Sequence, residues 1–224
     1  MWFDFIVEGL KKFAGEIIGA VLIIVALRFF PKLKSLFTKA EDLIYYEDRD
    51  AEFQSQTVIS DRYFLKLCEA GEVWEVEDAI IKGAHINAKD GRDCTTLMYA
   101  VERGHTEIVK ILLKHGVVVN AKNDSGGTAL MYAAKIGHIE IVKLLLEHGA
   151  NTNSKAKGGK VFGNCLTALM YAAEGGHTEV AELLLRYGAI INAKDKKGCT
   201  ALMYADYYGH SETANLLRSY GAKE

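Results

Sequence analysis

TALMYA at residues 128–133, 167–172 and 200–205, with TTLMYA at 95–100, decides the fold of this 224-residue chain. The opening threonines of these words are 33, 39 and 33 residues apart. Gly-His pairs at 104/105, 137/138, 176/177 and 209/210 keep the same intervals. So do the leucine- and isoleucine-rich runs at 108–113, 141–146 and 180–185, each followed by Gly116, Gly149 or Gly188. One unit is written repeatedly, with six extra residues in one copy.

Within a unit, Leu130, Ala133 and Ala134 fall at i, i+3 and i+4, the spacing that gathers small and apolar side chains on one helix face. That predicts a short first helix. After Gly137-His138, Ile141, Val142, Leu144, Leu145 and Leu146 predict a second helix with a broader apolar face, and Gly149 is placed to stop it in a left-handed conformation. The polar stretches NAKDGRD (87–93) and NAKDKKG (192–198) then predict a hairpin-like finger. Each unit reads helix, turn, helix, finger.

This order and a period near 33 resemble the ankyrin repeat, whose consensus includes T-P-L-H-x-A and whose units stack into a solenoid. The resemblance covers residues 62–224 in five units, near 62–94, 95–127, 128–166, 167–199 and 200–224. It implies an all-α solenoid of helix-turn-helix units with hairpin fingers, and a protein-binding platform. Two columns depart from the consensus: Thr96, Ala129, Ala168 and Ala201 replace the proline, and Met98, Met131, Met170 and Met203 replace the histidine. A row of methionines at one register predicts buried gap-filling side chains. Glu75 and Asp78 stand where the next unit has Ile108 and Ile111, and Thr213, Ala214 and Arg218 stand where the third has Ile141, Val142 and Leu146. These substitutions predict that the outer units cap the array.

Composition narrows the function. The net charge is −2, and residues 61–224 carry 20 basic and 20 acidic side chains, so no basic field points to nucleic acid. Cys68, Cys94, Cys165 and Cys199 have no metal-ligand spacing, and a chain of this length needs no disulfide framework. Six of the seven histidines are explained structurally, four in the Gly-His turns and His115 and His148 before helix-stop glycines. No GxSxG, HExxH or P-loop is present, and KAKGGKVFG at 155–163 lacks the GK[ST] ending of a phosphate cradle. No catalytic residue, metal or cofactor is expected.

The resemblance places the fingers and first helices on a concave face. There Tyr99, Tyr132, Tyr171 and Tyr204 form a row that leans either towards a partner or between neighbouring helices. Ile136, Tyr207 and Tyr208 occupy first-helix positions that do not repeat, and aromatic residues concentrate binding energy. The six-residue insertion contributes Lys155, Lys157, Lys160, Val161 and Phe162, and the next finger adds Lys194, Lys196 and Lys197. Six lysines on adjacent fingers read either as an ordinary solvated surface or as a field that steers an acidic partner.

The first 61 residues have a different character. Residues 17–27 are uninterruptedly apolar between Glu16 and Arg28, and residues 14–30 just reach the length of a bilayer span. Trp2, Phe3, Phe5, Phe13, Phe29 and Phe30 supply aromatic flanks. A single-pass membrane anchor over 1–31 is favoured over a soluble oligomerising helix, and both over a signal peptide, since the leading segment is long and carries acids. Lys11 and Lys12 precede the run while Arg28, Lys32, Lys34 and Lys39 follow it, which orients the array to the cytoplasm. Residues 32–61 read as a charged, part-helical connector. The resulting expectation is a membrane-tethered adaptor that binds another protein. The rival reading is a self-assembling membrane effector or pore component, in which Gly15 and Gly19 let anchor helices approach closely in a homo-oligomer.

Overall fold

The computed structural model describes residues 59–157 and 165–223, which lie in one compact unit, Thr57–Glu224. The apolar run at 17–27, Gly15, Gly19 and the connector up to residue 58 lie outside the described residues, as do Lys160 and Phe162. Among the described residues, no helix is long and apolar enough to cross a membrane.

Among the described residues ten helices follow in pairs: α1 (Asp61–Ala70) and α2 (Val73–Ile81), α3 (Thr96–Glu102) and α4 (Thr106–Lys114), α5 (Ala129–Ile136) and α6 (Ile139–Glu147), α7 (Ala168–Glu174) and α8 (Thr178–Arg186), α9 (Ala201–Tyr207) and α10 (Ser211–Ser219). First helices stack on first helices and second on second, so the chain builds two parallel rows. The repeated word explains the first row. Thr95, Thr128, Thr167 and Thr200 each accept a hydrogen bond from the backbone N–H of the methionine three residues on, at 3.3–3.4 Å. Each such cap contributes about 1 kcal/mol by satisfying an otherwise orphaned N–H. Ser60 does the same for Tyr63, so α1 begins two residues earlier in register than its counterparts. Ala100, Ala133, Ala172 and Ala205 are fully buried, and their small side chains let neighbouring helices approach closely.

Met98, Met131 and Met170 are buried at this packing layer, as their column predicts. Met203 is 36% exposed because no first helix stacks beyond α9 among the described residues. In the second row, Ile141, Val142, Leu145 and Leu146 of α6 are buried, as are all four equivalents in α4 and Val180, Ala181 and Leu184 in α8. Gly149 follows the helix end with φ +78°, and the amides of Gly149 and Ala150 close back onto Leu146 and Leu145. The fingers contain no extended strand among the described residues. Hydrogen bonds from the amides of Asp90, Asn123 and Asp195 to the carbonyls four residues later hold their bases.

Two ladders join unit to unit. Asn87, Asn120, Asn153 and Asn192 stand at one finger position, and each side-chain oxygen accepts from a backbone N–H in the following loop: Val118, Asn151, Ile190 and Lys223, at 2.8–2.9 Å. Asn120 and Asn153 also donate to the carbonyls of Gly149 and Gly188. The second ladder is the Gly-His turn. His105, His177 and His210 pair through Nε2 with the carbonyls of Glu69, Lys135 and Glu174, in the last turn of the preceding unit's first helix. Their rings lie over Gly71, Gly137 and Gly176, and the His138 ring likewise covers Gly104, leaving no room for a Cβ.

The outer units replace apolar contacts with ion pairs. On α2, Asp78 pairs with Lys82 at 2.6 Å. At the other end Asp206, where the third and fourth units have Ala134 and Ala173, pairs with Arg218, where they have Leu146 and Leu185. Thr213 differs from the expectation for an outer residue: it is buried, with its hydroxyl 2.8 Å from that of Thr178.

Candidate functional site

The tyrosine row lies mostly inside. Tyr132 and Tyr171 are buried, with 8% and 2% of their surface exposed, while Tyr99 and Tyr204 are half-buried. Three of the four hydroxyls bond to a finger base. The Tyr99 hydroxyl donates to Asp90 Oδ2 at 2.9 Å and the Tyr204 hydroxyl to Asp195 Oδ2 at 2.8 Å, while Asn123 Nδ2 donates to the Tyr132 hydroxyl at 3.1 Å. In each pair the partners are nine residues apart, so these three fingers are each tied to their own first helix. The insertion breaks this pattern: Ala156, whose amide bonds to the carbonyl of Leu166, occupies the acid or amide position beside Tyr171. The column therefore packs the array together, and only Tyr99 and Tyr204 retain partial access.

The two acids at the finger bases are held in their ionised form. Burial pushes the Asp90 carboxyl up, but bonds from the amides of Arg92 and Cys94, the Tyr99 hydroxyl and the Arg92 guanidinium outweigh it and leave the group below the ordinary range. Asp195 is also pushed up by burial. The Cys199 amide, the Tyr204 hydroxyl, the Lys197 amide and the Lys197 charge reverse that shift.

The non-repeating first-helix residues are on the surface. Ile136 ends α5 at 39% exposure, and Tyr207 and Tyr208 follow at the end of α9 at 83% and 48%. Tyr208 is held in place: its hydroxyl lies 3.4 Å from Glu174 Oε1, its ring stacks on His210, and Tyr207 meets it edge-on at 5.0 Å between centroids. The Glu174 charge raises the Tyr208 phenol above its ordinary value. An aromatic ring already ordered in the free protein loses little further entropy when a partner covers it.

Five of the six lysines lie among the described residues, and two of them bind neighbouring fingers. Lys155 Nζ donates to the carbonyl of Lys194 at 2.8 Å, and Lys196 Nζ to the carbonyl of Lys157 at 3.1 Å. Lys157, Lys194 and Lys197 complete a group of five exposed lysines around the buried Asp195. Among the described residues no cluster of His, Cys, Asp and Glu has the makings of a metal site. All four cysteines are free thiols, and burial pushes Cys68 up to about 12.

Sequence reasoning missed the asparagine ladder, although the spacing of Asn87, Asn120, Asn153 and Asn192 carried its signal. It also missed Trp74, which is 70% exposed on α2. No curated protein matches the chain. The family model for ankyrin repeats (3 copies) matches residues 66–156 and 158–224, well over half of the sequence. With five helix pairs stacked in two rows among the described residues, and three fingers tied to their first helices, the chain belongs to the ankyrin repeats family, whose arrays are protein-interaction modules.

Proposed function

We propose that the array binds a partner protein on the face formed by its first helices and fingers, in a chain tethered to a membrane by residues 1–31. The observation that carries this reading is the exposed, pre-ordered pair Tyr207 and Tyr208 at the end of α9, on the same array as the lysine-bearing fingers. Aromatic side chains of this kind supply most of the binding energy in a contact patch. The lysines act earlier, drawing an acidic partner edge towards the surface. No bond of the partner is made or broken. The tether rests on the apolar run at 17–27 and its aromatic flanks, and the basic residues after it favour a cytoplasmic array.

Binding kinetics at two salt concentrations test the division of labour. Tyr208→Ala should speed dissociation, costing about 1–2 kcal/mol. Charge reversal of Lys157, Lys194 and Lys197 should slow association and flatten its salt dependence. These three avoid Lys155 and Lys196, whose loss would also unpin neighbouring fingers. Undiminished affinity in both folded variants would place the site elsewhere. For the tether, carbonate washing that released the full-length chain from membranes would remove the spanning helix from the reading.

A further inference from the structure

Five copies of one helix allow the outward face of the second row to be compared position by position. In α4 the exposed stripe reads Glu107, Lys110, Lys114, and in α6 it reads Glu140, Lys143, Glu147. In α8 it reads Glu179, Glu182, Arg186, and in α10 Glu212, Asn215, Ser219. Every one of these twelve positions is polar. In α2 the same stripe is Trp74, Glu77, Ile81, with Trp74 70% and Ile81 82% exposed and Val73 beside them at 40%.

Isolated exposed apolar residues are ordinary, such as Ile139 of α6 at the register of Val73, but two large ones at i and i+7 on one helix, where the four sister helices carry polar residues at both positions, form a contact stripe. Its frame is acidic. Glu72 and Glu77 are exposed beside it, Glu75 and Asp78 are half-buried, and the base at the end of the helix, Lys82, is paired with Asp78.

We infer that α2 is a second docking surface, distinct from the first-helix face, and that it takes a basic amphipathic segment of a partner protein. Trp74 and Ile81 receive the apolar face of that segment, and Glu72 and Glu77 receive its lysines or arginines. The charges select this occupant over two others. Two copies of the chain meeting through α2 about a two-fold axis would set Glu72 and Glu77 against their own equivalents. An anionic bilayer would meet the same carboxylates with like charge.

The test uses the full-length chain in detergent with Trp2→Phe, which leaves Trp74 as the only tryptophan of the two. A synthetic amphipathic leucine-lysine peptide should shift Trp74 emission to shorter wavelength, saturably and less at high salt. A leucine-glutamate peptide of equal length should leave it unmoved. Glu72→Gln with Glu77→Gln should weaken the leucine-lysine peptide about fivefold, the combined weight of two exposed ion pairs. Ile81→Gln should weaken it further, with unchanged circular dichroism showing that the array stays folded. No shift with the leucine-lysine peptide, or equal shifts with both peptides, would overturn the proposal. So would a Trp74 shift produced by anionic vesicles alone, or one that follows protein concentration in parallel with dimer formation by sedimentation.

Discussion

Alanine at Gly137 and alanine at Gly149 add the same methyl group to two left-handed backbones of the third unit, with φ +83° and +78°. At Gly149 the new Cβ meets nothing within 4 Å, so the cost is conformational alone, about 1–2 kcal/mol. At Gly137 the Cβ would lie 2.5 Å from His177 Nδ1, which forces the ring aside. The ring then gives up its 3.2 Å hydrogen bond with the Lys135 carbonyl, worth about 1 kcal/mol. Gly137→Ala should therefore cost about 2–3 kcal/mol, roughly 1 more than Gly149→Ala. Because His177 belongs to the next unit, the extra loss falls on the coupling between units, and the transition should broaden as well as shift. Urea unfolding followed by circular dichroism measures both effects. Adding His177→Ala to each variant should bring the two glycine replacements to the same cost. Equal losses for Gly137→Ala and Gly149→Ala with His177 intact would refute the inter-unit role of the Gly-His turn.

Asn153→Ala removes the bonds to the Ile190 amide and the Gly188 carbonyl and should lower unfolding stability by about 2 kcal/mol, while Asn153→Asp, which keeps the acceptor, should lose less. Asp195 has a folded pKa below its unfolded value of about 3.9, so its contribution is complete above that value and is lost as pH falls through the depressed one. The urea midpoint should drop on acidification from pH 5 to 3, and Asp195→Asn should flatten that drop. Asp93, at φ +58°, occupies the left-handed finger position held by Gly126 and Gly198 in other units. Asp93→Gly should raise the thermal midpoint, with strain relief of about 0.5–1 kcal/mol exceeding the weak exposed pair with Lys89.

The repeated word carried most of the fold because its threonine, leucine and buried alanine do the same job at every copy. The threonine caps, the alanines let helices approach, and the methionine fills the layer between them. What the sequence showed less clearly were the partners, since these lie in other units. The Asn87, Asn120, Asn153 and Asn192 spacing was visible, but that each amide reaches the loop of the next unit follows only from stacking. The tyrosine row shows the same limit: Tyr132 and Tyr171 are buried while Tyr99 and Tyr204 are half-buried, a difference that an unvarying column does not announce. Tyr207, Tyr208 and Ile136 were recognisable as surface candidates because they break the repeat. Trp74 breaks it equally, but it does so in a second helix, outside the face where the resemblance directs attention.

Photo-crosslinking from position 208 and from position 143 in the full-length protein tests the proposed binding face most directly. Tyr208 lies at the end of a first helix, and Lys143 is exposed on α6 in the row of second helices. Binding through the first helices and fingers predicts covalent capture of one partner protein from position 208 and none of that protein from 143. Capture of the same protein from 143 alone, or in equal yield from both positions, would contradict it.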